Sequence, residues 1–249
     1  MRYLSLVRHA VTAWNSGGRV QGHSDVPLSA EGEAQARALG RRFAGAGGEV
    51  LLYTSPLERA RKTAALALPD HEAVQDSRLK ELNFGVFEGR TLPERLALPE
   101  WAAWSTDPFA TPAPGGESYE QLRSRVVAWL EHLPDAPHIV AVTHSGTIQM
   151  LVSHALKIDT PRWRKRFQLA HTGVTRLALE GADIFIERVN DTRHLDGMYP
   201  DTVLPNTGYL NTTNPNTTNP NTTNPNAVYP NTVNPDEGRS PGEEMRLEP

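Results

Sequence analysis

Leu6-Val7-Arg8-His9-Ala10-Val11-Thr12-Ala13-Trp14-Asn15 is the stretch on which the reading turns, and Leu4-Ser5 leads into it. Leu4 to Val7 is apolar except for Ser5 and stops at two polar side chains, which predicts a short buried strand. A strand ending in Arg-His delivers a guanidinium and an imidazole together at its carboxyl edge, the crevice where α/β sheets bind ligands. A neutral imidazole can attack phosphorus, and a guanidinium can grip phosphate oxygens in bidentate fashion. The dipeptide by itself says little, because a lone histidine is more often a packing or surface residue.

The neighbouring segments supply the rest of an α/β pattern. A polar, glycine-containing loop is expected from Ala10 to Leu28. Ser29 then reads as a helix N-cap, with Glu31 and Glu33 in the first turn where they suit the helix dipole. Ala34, Ala38, Leu39 and Phe43 form an apolar stripe, and Gly45-Ala46-Gly47-Gly48 is the expected stop. Val50 to Tyr53 predicts a second strand and Ser55-Pro56 the start of a second helix, proline being tolerated in a first turn. Glu117 to Leu133 spaces Leu122, Val126 and Leu130 at intervals of four, as an amphipathic helix does. His138 to Val142 reads as a third core strand and Gly146 to Leu156 as the helix after it. Val174 to Leu179 and Ile184 to Val189 read as a closing hairpin across Glu180-Gly181-Ala182-Asp183. Strands interleaved with helices predict an α/β three-layer sandwich with a largely parallel central sheet flanked by helices. Between Phe84 and Gly116 the periodicity fails, and this Pro- and Trp-containing stretch is expected to form a flap rather than core.

Beyond Asn15 the chain continues Arg19-Val20-Gln21-Gly22-His23-Ser24-Asp25-Val26-Pro27-Leu28-Ser29-Ala30-Glu31-Gly32, then Gln35-Ala36. With these residues the sequence resembles the histidine phosphatase superfamily, of phosphoglycerate-mutase-like fold. The opening signature of that family is Arg-His-Gly-x-Thr, then Asn, then Gln-Gly-x-x-Asp-x-Pro-Leu-Thr, then Gly-x-x-Gln-Ala. Ala10 stands where the family has glycine, a methyl expected to narrow the phosphate loop while leaving the nucleophile in place.

Three further segments agree with the resemblance. Tyr53-Thr54-Ser55-Pro56-Leu57-Glu58-Arg59-Ala60-Arg61-Lys62-Thr63-Ala64 matches Ser-x-x-x-Arg-Ala-x-x-Thr-Ala and makes Arg59 the implied second phosphate clamp; helix N-terminal amides beside an arginine suit an anion. Leu79-Lys80-Glu81-Leu82-Asn83-Phe84-Gly85-Val86-Phe87-Glu88-Gly89 resembles the segment that supplies the acid. Glu81 is thereby implied as proton donor to the leaving alkoxide, a task for a carboxyl of raised pKa, while Glu88 reads as structural. Ala141-Val142-Thr143-His144-Ser145-Gly146-Thr147-Ile148 supplies a second histidine, His144, implied to hydrogen-bond the phosphoryl oxygens as charge develops. Acid phosphatases of the superfamily carry Asp directly after that histidine, so Ser145 keeps the donor at Glu81.

Asn15, Gln21 and Gly22 match positions that line the family's phosphate pocket. Gly115-Gly116-Glu117-Ser118 resembles a helix entry and reads as a capping device. Asn190 to Leu195 resembles a terminal element in which His194 is read as structural rather than as a substrate contact. Trp101, Trp104 and Phe109 are read as packing residues, with walls of a substrate cavity as the alternative.

The resemblance spans residues 3 to 195. It implies phosphomonoester hydrolysis through a phosphohistidine on His9, with Arg8, Arg59 and His144 holding the oxygens and Glu81 acting as acid and then as base. It implies no metal and no cofactor. About thirty residues separate Gly85 from Gly116, fewer than a phosphoglycerate mutase uses after its acid segment. The expected substrate is therefore a small phosphomonoester handled by a broad-specificity or α-ribazole-type phosphatase, with mutase-type phosphotransfer as the alternative. A non-catalytic phosphate-binding module, the reading from another class, predicts a missing nucleophile, clamp or acid, and each of these is present.

Composition bounds the remaining possibilities. The 249 residues are 38% hydrophobic and 22% charged, which suits a globular protein of one α/β domain of about 200 residues or of two smaller domains. Cysteine is absent, excluding disulfides and thiolate metal sites. No run approaches the roughly 18 apolar residues of a membrane span, and Met1 to Val7 is too short for a signal-peptide core. A cytoplasmic enzyme is the expectation. Residues 1 to 198 carry 23 bases and 23 acids, so no overall basic field points to nucleic acid. The boundary is set near residue 198 because 201 to 235 divide into the pentads DTVLP, NTGYL, NTTNP, NTTNP, NTTNP, NAVYP and NTVNP. A period of five matches neither helix nor strand and offers little to bury, so residues 199 to 249 are expected to be a disordered repeat tail.

Overall fold

β1 (Arg2–Arg8) lies inside a six-stranded sheet of order β3-β2-β4-β1-β5-β6. The computed structural model describes residues 1–44, 49–158 and 168–198. The other strands are β2 (Val50–Thr54), β3 (Ala73–Gln75), β4 (His138–Thr143), β5 (Val174–Glu180) and β6 (Asp183–Asp191). β1, β4, β2 and β3 are mutually parallel, whereas β5 runs antiparallel to β1 and β6 antiparallel to β5.

Strand alternation sends side chains into two separate cores. Leu4, Leu6, Ile139, Ala141, Leu177 and Leu179 face one side, where α6 (Tyr119–Glu131) and α7 (Ser145–Ala155) bury Leu122, Val126, Ile148 and Leu151 against them. Val7, Leu52, Val140, Val142 and Val174 face the other, covered by α2 (Ala30–Phe43) and α3 (Glu58–Ala67) through Leu39, Ala60 and Ala64. Each fully buried Leu or Val contributes about 1.5–3 kcal/mol relative to exposure. The result is the expected helix–sheet–helix sandwich, largely parallel, with its antiparallel part confined to the closing hairpin.

The N-caps follow the sequence closely. Ser29 Oγ accepts from the Gly32 amide at 3.1 Å, and Ser118 with Gln121 forms a reciprocal capping box on α6. α3 starts at Glu58 rather than at Ser55-Pro56; its first amide is capped from a distance by Asp25 Oδ1 at 2.5 Å.

The stretch from Phe84 to Gly116 is not a flap. It contains α4 (Leu92–Leu96) and α5 (Pro99–Thr106), with Pro93 and Pro99 in the first turns, where a missing N–H costs nothing. Phe87, Trp104 and Ala113 are buried in the larger core, and Phe84, Phe87, Trp101, Trp104 and Tyr119 form an aromatic cluster with ring centroids 5.0–6.4 Å apart. Trp101, Trp104 and Phe109 therefore pack with this core. A short additional helix, α1 (Ala13–Ser16), interrupts the loop expected from Ala10 to Leu28. The expected helix stop at Gly45-Ala46-Gly47-Gly48 and the repeat tail lie outside the described residues. Among the described residues no helix is long and apolar enough to cross a membrane.

Candidate active site

The parallel pairing of β1 with β4 ends at Arg8↔Thr143, and the His9 amide extends the ladder to the Thr143 carbonyl at 2.8 Å. His9 and His144 therefore leave adjacent strands at the same level, with ring centroids 5.2 Å apart. β2 lies on the far side of β4, paired through Thr54↔Val142, and feeds Ser55 and then α3 with Arg59 into the same edge. Three carboxyl ends thus converge on one edge of the sheet, where α/β folds place their ligand sites.

The loop after β1 is held from both helices of one layer. The Ala10 amide donates to Thr63 Oγ1 at 3.0 Å and the Val11 amide to Gln35 Oε1 at 3.0 Å. A Cβ on Gly32 would fall 2.1 Å from the Val11 carbonyl oxygen, so this glycine is what lets α2 approach the loop. Ala10 is fully buried and is not among the positive-φ residues; its methyl fits without backbone strain.

His9 is 4% exposed, and its Nδ1 lies 2.7 Å from the Ala10 carbonyl oxygen. A carbonyl only accepts, so Nδ1 donates and the lone pair resides on Nε2. Burial first, then the charges of Arg59 and Arg8, hold the His9 pKa well below 6.5, which keeps the ring neutral. His144 is fully buried and neutral for the same leading reason, followed by Arg59 and His9. Its Nε2 lies 2.8 Å from Ser55 Oγ, and its Nδ1 has no partner within the protein. Ser55 Oγ already accepts from the Leu57 amide at 3.3 Å. The hydroxyl can donate to or accept from Nε2, and the unpartnered Nδ1 is the ring atom left for a ligand.

Arg59 is fully buried. Its Nη1 and Nη2 donate to the carbonyls of Ser24 and Gly22 at 2.9 and 2.7 Å, while Nε has no protein partner. Burial pushes its pKa down to about 10, opposed by Glu81, Asp25 and Glu88, so it is charged at neutral pH. The same loop is fastened by Glu88, which accepts from the amides of His23, Phe84 and Ser24 and from the Ser24 hydroxyl. Gly22, at φ +54°, is where a Cβ would fall 2.0 Å from Glu88 Oε1. Glu88 thus builds the loop that positions Arg59.

Glu81 is half-buried and sits at the N-terminus of α7. Its Oε2 accepts from the Gly146 amide at 3.1 Å and its Oε1 from the Leu82 amide at 2.9 Å. Arg125 fastens this segment by donating to the carbonyls of Arg78, Lys80 and Glu81 at 2.6–2.8 Å while pairing with Glu117. The Gly-Gly-Glu-Ser element therefore supports the acid segment as well as capping α6.

Not every expected residue faces the histidines. Asn15 spends its Oδ1 on the capping box of α1, accepting from the Thr12 amide and hydroxyl at 3.0 Å. Gln21 is 6% exposed with Oε1 unpartnered, and Gly22 reaches the site through its carbonyl on Arg59. His194 hydrogen-bonds Thr172 Oγ1 at 2.9 Å and lines a surface hollow with Arg41, Arg42 and Arg193. One residue was missed: His171, 1% exposed, lies 5.7 Å from the His9 ring. Nothing local in Leu169-Ala170-His171-Thr172 signals this, because its neighbour in space is 162 residues away. Among the described residues no cluster of His, Asp and Glu is arranged to hold a metal.

Comparisons with known proteins place the chain in a family. Residues 4–192 match the family model of the histidine phosphatase superfamily (branch 1), and the chain belongs to that superfamily. A Salmonella paratyphi C protein named "Probable phosphoglycerate mutase GpmB" is 33% identical over 209 residues, covering 79% of this chain and 96% of its own. The structure of Entamoeba histolytica phosphoserine phosphatase in complex with 3-phosphoglyceric acid superposes with a TM-score of 0.70 at 29% identity, covering 78% of this chain and 100% of that one. Shigella flexneri α-ribazole phosphatase superposes with a TM-score of 0.70 at 25% identity, covering 76% and 96%.

Proposed function

We propose that the chain hydrolyses a small phosphomonoester through a phosphohistidine on His9. The observation that carries this is the tautomer of His9: Nδ1 is committed to the Ala10 carbonyl, leaving a neutral Nε2 as the nucleophile beside two arginines and His144. In the first step Nε2 bonds to phosphorus and the ester P–O bond breaks. The leaving oxygen keeps the electron pair and takes a proton from the Glu81 carboxyl. In the second, Glu81 takes a proton from water, the water oxygen bonds to phosphorus, and the P–N bond breaks to free His9. Arg8, Arg59 and His144 hold the peripheral oxygens through both steps, stabilising charge where it develops. Asn15, Gln21 and Gly22 complete the substrate-binding set, and no metal or other cofactor takes part.

The catalytic unit is residues 1–198, and its setting is the cytoplasm, where small phosphorylated metabolites are made. The named phosphatases among the structural neighbours and the short span between Gly85 and Gly116 favour hydrolysis. The mutase-named relative supports the alternative, net transfer between positions of phosphoglycerate.

Quenching in alkali or denaturing detergent with a labelled phosphomonoester tests the reading. An acid-labile, base-stable phosphoryl group should appear on wild-type protein and be absent from His9→Ala. Full turnover by purified His9→Ala would refute it. Comparing 3-phosphoglycerate with and without 2,3-bisphosphoglycerate, beside an aryl phosphate, separates hydrolysis from mutation.

A further inference from the structure

The segment Leu169-Ala170-His171-Thr172-Gly173 wraps the end of β1. Arg8 Nη1 donates to the Leu169 carbonyl at 2.5 Å, the Arg8 carbonyl accepts from the Thr172 amide at 2.9 Å, and the Arg8 amide donates to the Gly173 carbonyl at 3.2 Å. Thr172 adopts φ +56°, a left-handed conformation that costs free energy for a β-branched residue. Asn190, also at φ +56°, accepts the Ala170 amide at 2.7 Å, and its Oδ1 leaves no room for a side chain at Gly173, where a Cβ would fall 2.2 Å away. Strain of this kind persists where surroundings over-determine it, and it concentrates at functional sites.

What this turn fixes in place is His171. Its ring centroid lies 5.7 Å from His9 at an interplanar angle of 58°, against 5.2 Å and 57° for His144. Because β1 lies between β4 and β5, and β5 starts at the edge where β1 ends, His9 has a buried histidine on each side. His171 Nε2 has no partner within the protein, an unpaired buried group of the sort that calls for a ligand or a catalytic role. Burial, then Arg8, keep the imidazole neutral, so it offers one N–H donor without adding positive charge.

We propose that His171 is a further phosphate-binding residue of this site, donating a ring N–H to a peripheral oxygen of the phosphoryl group carried on His9. The inference rests on the phosphatase reading above and adds to it a donor from the β5 side of the sheet. Glutamine or asparagine could replace the donor, whereas an apolar side chain of similar bulk could not.

Two measurements test it on the full-length chain. The first is inhibition by orthovanadate, together with kcat and KM on an aryl phosphate, for His171→Ala and His171→Asn. Loss of one hydrogen bond to a charged oxygen should weaken orthovanadate inhibition by roughly 10–100-fold in His171→Ala, with His171→Asn recovering most of it. Less than about a twofold change in His171→Ala, or equal losses in both variants, would overturn the proposal and leave His171 as packing.

The second is an orthophosphate titration of wild-type protein followed by the imidazole 15N shifts. His171 should report binding along with His9; a shift at His9 with none at His171 would overturn the proposal even if His171→Ala does not fold. This readout needs no turnover. Failure to trap phosphohistidine in wild-type protein would therefore remove the reaction mechanism, whereas a silent His171 would remove only this residue's role.

Discussion

Replacing Gly146 by alanine should separate catalysis from stability. Gly146 is the second residue of α7, and its amide holds Glu81 Oε2 at 3.1 Å. A Cβ there would lie 2.2 Å from Glu81 Oε1 and 3.2 Å from its Cδ, with Leu122 at an ordinary 3.4 Å. Relaxing the first contact to about 3.5 Å drives the carboxylate back by roughly 1 Å, which the end of a flexible side chain can do. A displacement of about 1 Å in a positioned group costs on the order of 10²-fold in rate. The fold loses little: alanine gains about 0.5–1 kcal/mol of helix propensity over glycine. A weakened hydrogen bond to a charged group costs about 1.5–3 kcal/mol, so the two together leave a destabilisation of about 1–2 kcal/mol.

The assay is kcat on an alkyl phosphomonoester and on a nitrophenyl phosphate, beside urea unfolding. In the proposed mechanism an alkoxide needs the proton from Glu81 to leave and a nitrophenolate does not, so phosphoenzyme formation should be impaired on the alkyl substrate alone. Water attack suffers on both. Alkyl turnover within about threefold of wild type, in a variant shown by its structure to have moved the carboxylate, would refute the role given to Glu81.

Arg59→Lys should lower kcat/KM by about 10²–10³-fold, because an ammonium cannot hold the Gly22 and Ser24 carbonyls and present a planar donor at once; steady-state kinetics check it. Ser29→Ala should cost about 1 kcal/mol in urea unfolding through loss of the α2 cap, with kcat unchanged. His9, His144 and His171 are buried neutral with pKa values held below 6.5, so the unfolded chain binds more protons once pH falls past about 6.5. Stability should be full above that pH and fall below it by ~1.4 kcal/mol per pH unit for each histidine, read from unfolding midpoints across pH 4–8. With His9 as the proposed nucleophile, the same depression puts its acid limb in kcat/KM below pH 6.5, so lowering the pH from 7.5 to 6.5 should leave that group neutral.

The parts of the fold legible in the sequence are those with strong local signals. β1 and β4 are nearly continuous apolar runs because both faces of a parallel strand are covered, and Ser29 and Ser118 announce their helices by capping chemistry. β3 escaped notice because Ala73-Val74-Gln75 is a short edge strand with no room for a pattern. α4 and α5 read as a flap because Pro93 and Pro99 look like breaks in a linear scan, although both sit in first turns. The core there is aromatic, and its packing follows no helical period. Among the residues gathered at the candidate site, those carried by a signature were legible in the sequence, but the contacts that fasten them were not. Arg125, Glu88 and His171 reach site partners 44 to 162 residues away, and no spacing rule reaches that far.

The Arg8↔Thr143 register has a consequence for how such a protein can be altered. Because backbone ladder bonds set the separation of His9 and His144, that distance behaves like a dimension of the scaffold, indifferent to what the loops do. The Gln21–Ser24 loop and the Glu81–Glu88 segment hang from that edge by a few side-chain fastenings. Under the proposed function, exchanging those segments, with their fastenings, between relatives should change which substrates are accepted while His9 and His144 keep their spacing. The spacing of the two histidines belongs to the sheet, whereas the placing of Glu81 and Arg59 travels with the exchanged segments.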